Sequence, residues 1–218
     1  MKSSWNKSYA AYLFDLDGTL VDTAPDIDAA LNYSLREAGL DSVPEQLTRH
    51  WIGHGSRTLI QKALDNQNAQ KDPEPLLKNF IHYYSKNIAN SSQPYPDVIK
   101  CLDLLTMRGA RLGVVTNKLT ELTLRVLGAL DLKKYFDTII CGDTTPNPKP
   151  SPDPIEKALA ELKLMHSECL FVGDSDTDVR AAKASGIKVV CMKDGYNHGK
   201  DVSTLDCDGV ITSFLELL

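Results

Sequence analysis

The sequence predicts an α/β fold, a doubly wound parallel sheet with an inserted α-helical cap, on three observations. Short apolar runs recur along the chain, and each ends at or near a polar residue: AAYLFD (10–15), RLGVVTN (111–117), TIICGD (138–143), CLFVGD (169–174) and IKVVCM (187–192). Runs without polar alternation suit strands buried on both faces, as a parallel sheet covered by helices requires. Between the later runs lie apolar stripes of helical period, so strand and helix alternate. From Asp22 to about Pro96 the alternation stops and no convincing strand is seen.

The first run leads into FDLDGTLVD. Asp17-Gly18 is a good hairpin dipeptide between apolar flanks. A hairpin needs a partner strand soon afterwards, yet Leu20-Val21-Asp22 leads into Thr23-Ala24-Pro25-Asp26, which reads as a helix start. The interrupted stretch then reads as helices. Ile27, Ala30, Leu31, Leu35 and Ala38 form one stripe closed by Gly39; Ser56 is placed to cap a second helix carrying Leu59, Ile60, Ala63 and Leu64. Pro73 suits the first turn of a third, with Leu76, Leu77, Phe80, Ile81 and Tyr84 inward. Pro94 and Pro96 mark the return to the sheet. The expected division is a core domain over 1–21 and 97–218, with a helical cap domain over 22–96. Beyond the cap, three stripes separate the later runs: Val98, Cys101, Leu102 and Leu105; Leu119, Leu122, Val126 and Leu130; and Ile155, Ala158, Leu159 and Leu162.

Ligands of doubly wound sheets bind outside the carboxyl ends of the strands. Asp15, Thr116 with Asn117, Asp143 and Asp174 all fall at those ends, so residues far apart in the chain are expected to meet there. A lid beside such a crevice suggests a small substrate closed away from water.

With 218 residues the chain suits one large domain, or a medium domain with an insertion. Its net charge is −5 and it has no basic run, which argues against nucleic acid as a partner. The five cysteines are scattered without a C-x-x-C pair and four lie in or beside apolar runs, as buried thiols of a reducing compartment do. No signal-peptide or membrane-spanning stretch is seen. The expectation is a soluble cytoplasmic protein, monomer or homodimer.

Four motifs carry a resemblance. FDLDGTLVD, VVTNK (114–118), the lysine of NPKPSPDP (147–154) and VGDSDTD (172–178) occur in the order found in the haloacid dehalogenase-like (HAD) phosphohydrolase superfamily. Within it the chain resembles the phosphoglycolate phosphatase group, whose cap sits where the helical insertion lies. The resemblance implies that Asp15 is a nucleophile attacking phosphorus. A carboxylate needs no deprotonation for this at neutral pH, but it must meet a phosphate dianion, so a divalent cation is required and oxygen ligands point to Mg²⁺. By the same resemblance the ion is held by the Asp15 side chain, the Asp17 backbone carbonyl and Asp174, with Asp178 one helical turn on supporting them directly or through water. Asp17 is implied as the acid that protonates the leaving alkoxide and then the base that activates water. Thr116 and Asn117 are implied to bind phosphoryl oxygens, and Lys149 to stabilise charge on nucleophile and phosphoryl group. Gly18 is expected to let backbone approach the phosphate, and Gly173 to allow close packing near the ion.

Substrate choice is expected to lie in the cap, at WIGHGSRTLI (51–60), where two glycines flank His54 and Arg57 follows. An ordinary interhelical loop is the plainer reading; the resemblance favours a loop facing substrate, with Arg57 and His54 binding a leaving-group carboxylate. That suits 2-phosphoglycolate. Alternatives are a phosphorylated sugar acid such as N-acetylmuramic acid 6-phosphate, a phosphomutase related to β-phosphoglucomutase, whose relatives usually carry Glu-Asp where this chain has Gly-Asp, and a catalytically silent binding module. GYNHGKD (195–201) resembles a segment common in the group but is given no chemistry.

Overall fold

In the computed structural model, residues 5–218 are described, so the first four residues of the core segment lie outside the description. Eight strands and eight α-helices follow one another among these residues. The first are β1 (Ala11–Phe14), β2 (Val21–Asp22), α1 (Ala24–Glu37), α2 (Glu45–Trp51), α3 (Ser56–Asn66), α4 (Pro73–Lys86), β3 (Gln93–Pro94), α5 (Val98–Met107) and β4 (Arg111–Val115). Then come α6 (Thr120–Ala129), β5 (Thr138–Ile140), α7 (Asp153–Leu162), β6 (Cys169–Gly173), α8 (Asp176–Ala184), β7 (Lys188–Met192) and β8 (Gly209–Ile211). Six strands form one parallel sheet in the order β5-β4-β1-β6-β7-β8. The strand order reverses at β1, which places a crevice at its carboxyl end.

The continuous apolar runs have the predicted cause. Tyr12, Phe14, Leu112, Val114, Leu170 and Val172 face one buried layer with α5 and α6. Ala11, Leu13, Val115, Phe171, Val189 and Cys191 face the other with α7 and α8. Successive residues thus enter opposite layers, so the central strands are apolar at nearly every position, with charges such as Arg111 and Lys188 at their exposed starts.

Helices α1–α4 form the cap around its own core of Ile27, Leu31, Leu35, Ile60, Leu64 and Phe80. The expectation of three helices misses α2, whose sequence EQLTRHW buries only Thr48 and so shows no stripe. Ser56 does not cap α3: it is the first helical residue, and the preceding position is Gly55 at φ 83°. Nor is the stretch after Val21 free of strand. The chain leaves the core and returns to it as a two-residue antiparallel ribbon, Val21 opposite Pro94 and Asp22 opposite Gln93. A pair this short has no readable periodicity. The return is also tied to α1, whose buried Asp26 carboxylate accepts from the Ser91 and Ser92 amides and the Ser92 hydroxyl at 2.6–3.0 Å. No helix among the described residues is long and apolar enough to cross a membrane.

Candidate active site

The ends of β1, β4 and β6 each deliver a polar group to the crevice, whereas Asp143, expected there after β5, instead accepts from the Thr120 amide and hydroxyl at 3.0 and 2.6 Å. Asp15 directly follows β1, and its amide donates to the Val172 carbonyl of β6 at 2.9 Å, which extends the pairing by one residue. Thr116 follows β4 in the same way, its amide 2.9 Å from the Ile140 carbonyl of β5. Asp174 follows β6, and Asp178 lies on the first turn of α8. There Asp178 Oδ2 accepts from the Asp174 and Ser175 amides and the Ser175 hydroxyl at 2.8–3.2 Å. An acid at this place satisfies the unpaired amides of a helix start and complements its dipole.

Asp15, Asp174 and Asp178 bring carboxylate oxygens within 4.8 Å of one another, all three buried. The other charge in this enclosure is Lys149, whose ammonium lies 3.0 Å from Asp15 Oδ1 and 2.6 Å from Asp178 Oδ1. Burial alone would lower the lysine, but Asp15 and Asp178 outweigh it and hold its proton on more firmly than usual. One ammonium does not balance three carboxylates. Burial pushes Asp15 up to about 7 against the attraction of Lys149, with Asp178 and Asp17 adding to the rise. It pushes Asp174 up to about 8, with Asp178 and Asp15 adding to it.

These residues fit a divalent cation. The donors are all carboxylate oxygens, the set a hard ion takes, and Asp15 Oδ1, ion pair aside, accepts no aligned hydrogen bond although fully buried. The Asp174 carboxylate is already aimed by outer partners, Thr19 Oγ1 on Oδ1 at 2.9 Å and the Tyr196 amide on Oδ2 at 2.8 Å.

The Asp17 carboxylate is not part of that cluster. It accepts from Thr23 Oγ1 at 2.7 Å and from the Lys118 ammonium at 2.9 and 3.0 Å. Lys118 is buried, and its ammonium lies 4.7 Å from the centre of the Tyr84 ring on the cap. Burial would lower Lys118, but Asp17 and Tyr84 raise it, so it remains a firm cation. Asp15, Asp17, Thr116, Asn117 and Lys118 line the floor of one cavity under the cap; Ile27, Ile52, Leu59 and Phe80 line its roof with Ser56 and the Gly53 and Gly55 backbone. Its empty volume is about 510 Å³, part of it open to solvent.

Three sequence expectations look different in the structure. Gly18 has a different constraint: at φ 85°, a Cβ there would come 2.7 Å from Asp174 Oδ2 and 2.8 Å from the Tyr196 ring, so its small size makes room for those two groups, and its amide donates to the Val21 carbonyl at 2.9 Å. Arg57 is outside the cavity lining, largely exposed and ion-paired with Glu74 of α4. His54 is outside it as well; its ring stacks on His198 at 4.4 Å and 9°, with Thr177 Oγ1 3.5 Å away. Burial first, then His198, takes His54 down to about 4, so at pH 7 the ring carries no positive charge to pair with an anion. Asn117 points its amide nitrogen at the Gly53 carbonyl of the cap (3.0 Å) and the Lys149 carbonyl (2.8 Å), a tie across the cap–core seam. Gly173 is packed as expected, a Cβ there meeting Asp178 at 2.5 Å.

Lys118 stood in the motif VVTNK without a role, and its position directly after Asn117 at a strand end was the available signal. Tyr196 gave none, because the partners of its hydroxyl lie more than 170 positions away in the chain.

A capped doubly wound core with an acidic cluster at its switch point defines a class, and the sequence comparison agrees. Residues 12–192 match the model of the haloacid dehalogenase-like hydrolases, and the chain belongs to that family, in its phosphoglycolate phosphatase-like group with a helical cap. It is 38% identical over 210 residues to the phosphoglycolate phosphatase of Nitrosospira multiformis, covering 94% of this chain and 92% of that protein. To the phosphoglycolate phosphatase of Aquifex aeolicus it is 41% identical over 185 residues, 84% of each. A crystal structure from Haemophilus somnus, described as a predicted phosphoglycolate phosphatase, superposes with a TM-score of 0.91 over 97% of both chains at 31% identity.

Proposed function

We propose that the protein is a Mg²⁺-dependent phosphatase of small phosphate monoesters and that its substrate is 2-phosphoglycolate. The observation that carries the reading is the sealed constellation of Asp15, Asp174 and Asp178 around Lys149, open on the Asp15 side to a cavity that Asp17 shares.

When bound to Asp15, Asp174 and Asp178, Mg²⁺ supplies the positive charge that lets an anionic nucleophile approach a phosphate. Asp15 attacks phosphorus and becomes an aspartyl-phosphate as the P–O bond to the leaving group breaks. Lys149 stabilises the charge on Asp15 and on the equatorial oxygens. Asp17 gives a proton to the leaving alkoxide, then takes one from the water that cleaves the acyl phosphate. Thr116 offers its hydroxyl and Asn117 its backbone amide to the phosphoryl oxygens.

Lys118 supports the choice of substrate. It is the ammonium on the cavity wall beside Asp17, while Arg57 lies outside. A carboxylate on the leaving group competes with Asp17 for Lys118, which neutralises that carboxylate and frees Asp17 for proton transfer. Steady-state phosphate release from 2-phosphoglycolate and a panel of esters, with Mg²⁺ present, tests this. The expected result is the highest kcat/KM for 2-phosphoglycolate; a far higher value for a sugar-acid phosphate, or mutase turnover without phosphate release, would replace it.

A further inference from the structure

The GYNHG segment (195–199) left without chemistry by the sequence lies between the acidic cluster and the entry to the cap. Its first residue touches the cluster: a Cβ on Gly195 would fall 2.2 Å from the Asp174 Cβ, so segment and carboxylate are in closest possible contact. The next two donate backbone amides to Asp174 Oδ2, Tyr196 at 2.8 Å and Asn197 at 3.4 Å.

The Tyr196 side chain then runs from that carboxylate, past Gly18, to the linker where the chain leaves the core. Its hydroxyl accepts from the Thr23 and Ala24 amides at 2.8 and 2.9 Å and donates to Asp22 Oδ1 at 2.7 Å. These are the amides of the N-cap residue and of the first helical residue of α1, which an N-cap side chain does not reach, and the Thr23 hydroxyl is in any case committed to Asp17. The phenol thus holds the entry to the cap, shared with Asp22 Oδ1, which also accepts from the Ala24 amide at 3.3 Å. The cap holds the same point from its other side. Arg49 of α2 chelates Asp22 with two bonds of 3.0 Å, and its guanidinium carbon lies 5.5 Å from the centre of the Tyr196 ring. The hydroxyl is tightly kept: burial first, then Tyr95 and Asp22, raises Tyr196 far above the usual phenol range.

We infer that Tyr196 is a positioning residue that couples occupancy of the Asp15–Asp174–Asp178 cluster to seating of the cap, through its amide on Asp174 and its hydroxyl on the Asp22–Ala24 linker. The inference rests on reading those carboxylates as cation ligands. A cation that fixes Asp174 fixes the segment packed on it, and the phenol transmits that order to α1 and, through Asp22 and Arg49, to α2. By reciprocity a seated cap raises affinity for the ion.

The test is hydrogen exchange of the full chain with and without Mg²⁺, beside calorimetric Mg²⁺ titration, for wild type and Tyr196→Phe, which removes one oxygen and keeps ring and backbone. In wild type, Mg²⁺ is expected to slow exchange at residues 22–27 and 45–52 by about tenfold, within the ordinary range of coupling between sites. In Tyr196→Phe, Mg²⁺ still binds but the slowing at 45–52 falls below about threefold, and KM for Mg²⁺ rises more than kcat falls. Equal slowing in both proteins would overturn the inference, as would Mg²⁺ binding to wild type with no change at either segment. Should Tyr196→Phe not fold, Arg49→Ala replaces it: slowing is then expected at 22–27 and not at 45–52, and slowing at both overturns the coupling. Absence of Mg²⁺ heat in wild type would instead refute the cation site itself.

Discussion

Beneath the floor of the cleft, which Asp15 reaches, three carboxylates and the Lys149 ammonium are sealed from water within reach of one another, whereas the roof is mostly apolar, with Ile27, Ile52, Leu59 and Phe80 beside Ser56 and Tyr84. The floor gains its properties from desolvation. Taking charges out of water is costly unless each is paired, so removing one member leaves the others uncompensated. The roof gains its properties from area and shape, where a change of one apolar residue for another alters fit by small amounts. On the function proposed above, chemistry is thus held by a few residues that tolerate no exchange, and choice of substrate by many that tolerate some. Lys118 stands at the boundary, a floor residue touching the Tyr84 ring of the cap.

Substitutions on the floor should have the largest effects. Asp15→Asn is expected to lower Mg²⁺-dependent hydrolysis of p-nitrophenyl phosphate by at least about 10³-fold, the order seen when a nucleophile is removed. Lys149→Ala comes next. It exposes Asp15 and Asp178 to each other without a counter-charge, and we expect a loss of about 10²–10³-fold in kcat together with about 3–5 kcal/mol of stability by denaturant unfolding. A stable, active Lys149→Ala would mean that the floor does not depend on paired burial.

Lys118→Met probes the boundary. Its kcat/KM for 2-phosphoglycolate should fall by about tenfold or more, as loss of a charged hydrogen bond implies, and by clearly less for p-nitrophenyl phosphate, whose leaving group carries no carboxylate. Equal losses on both would assign Lys118 to holding Asp17 alone.

The floor also predicts a pH dependence. Asp15 and Asp174, raised to about 7 and 8 in the ion-free protein, bind protons in the folded state at pH values where the unfolded chain has lost them. Their contribution to stability is therefore complete below the usual carboxylate range and is lost as pH rises from about 4 to 8. Mg²⁺ needs the deprotonated forms, so the rise in Tm that it produces should grow between pH 5 and 8, measured by thermal unfolding. A rise in Tm independent of pH would show that these carboxylates are not its ligands. The smallest effect belongs to the cap exterior: Arg57→Ala should change kcat/KM by less than about threefold and stability by no more than about 0.5 kcal/mol, because its pair with Glu74 is exposed.

The same contrast decided what could be read in the sequence. The floor was legible because Asp15, Thr116 and Asp174 each follow an apolar run, where a two-face-buried strand must end, and because four motifs, including the loop lysine Lys149, recur in a family's order. The sheet was legible for the same reason, except β8, three residues at an edge with Val210 exposed. Helix α2 and the β2–β3 ribbon escaped because neither has an apolar period. The packing need for Gly18 was not legible because φ and neighbours are tertiary facts: glycine makes room there for the Asp174 carboxylate and the Tyr196 ring. Arg57 and His54 were drawn to the site by the family resemblance of their glycine-rich loop, and their partners in the structure, Glu74 and His198, lie 17 and 144 positions along the chain. Lys118 and Tyr196 act by bridging segments more than 100 residues apart, which no local spacing encodes.

The central claim is that Asp15 on the floor carries the phosphoryl group. Acid-quenched single turnover of 2-phosphoglycolate with Mg²⁺, followed by mass spectrometry of the peptides, tests it directly. The account predicts a transient phosphoryl group on the peptide containing Asp15, absent from Asp15→Asn. Turnover with no such adduct, or with the phosphoryl group on another residue, would contradict it.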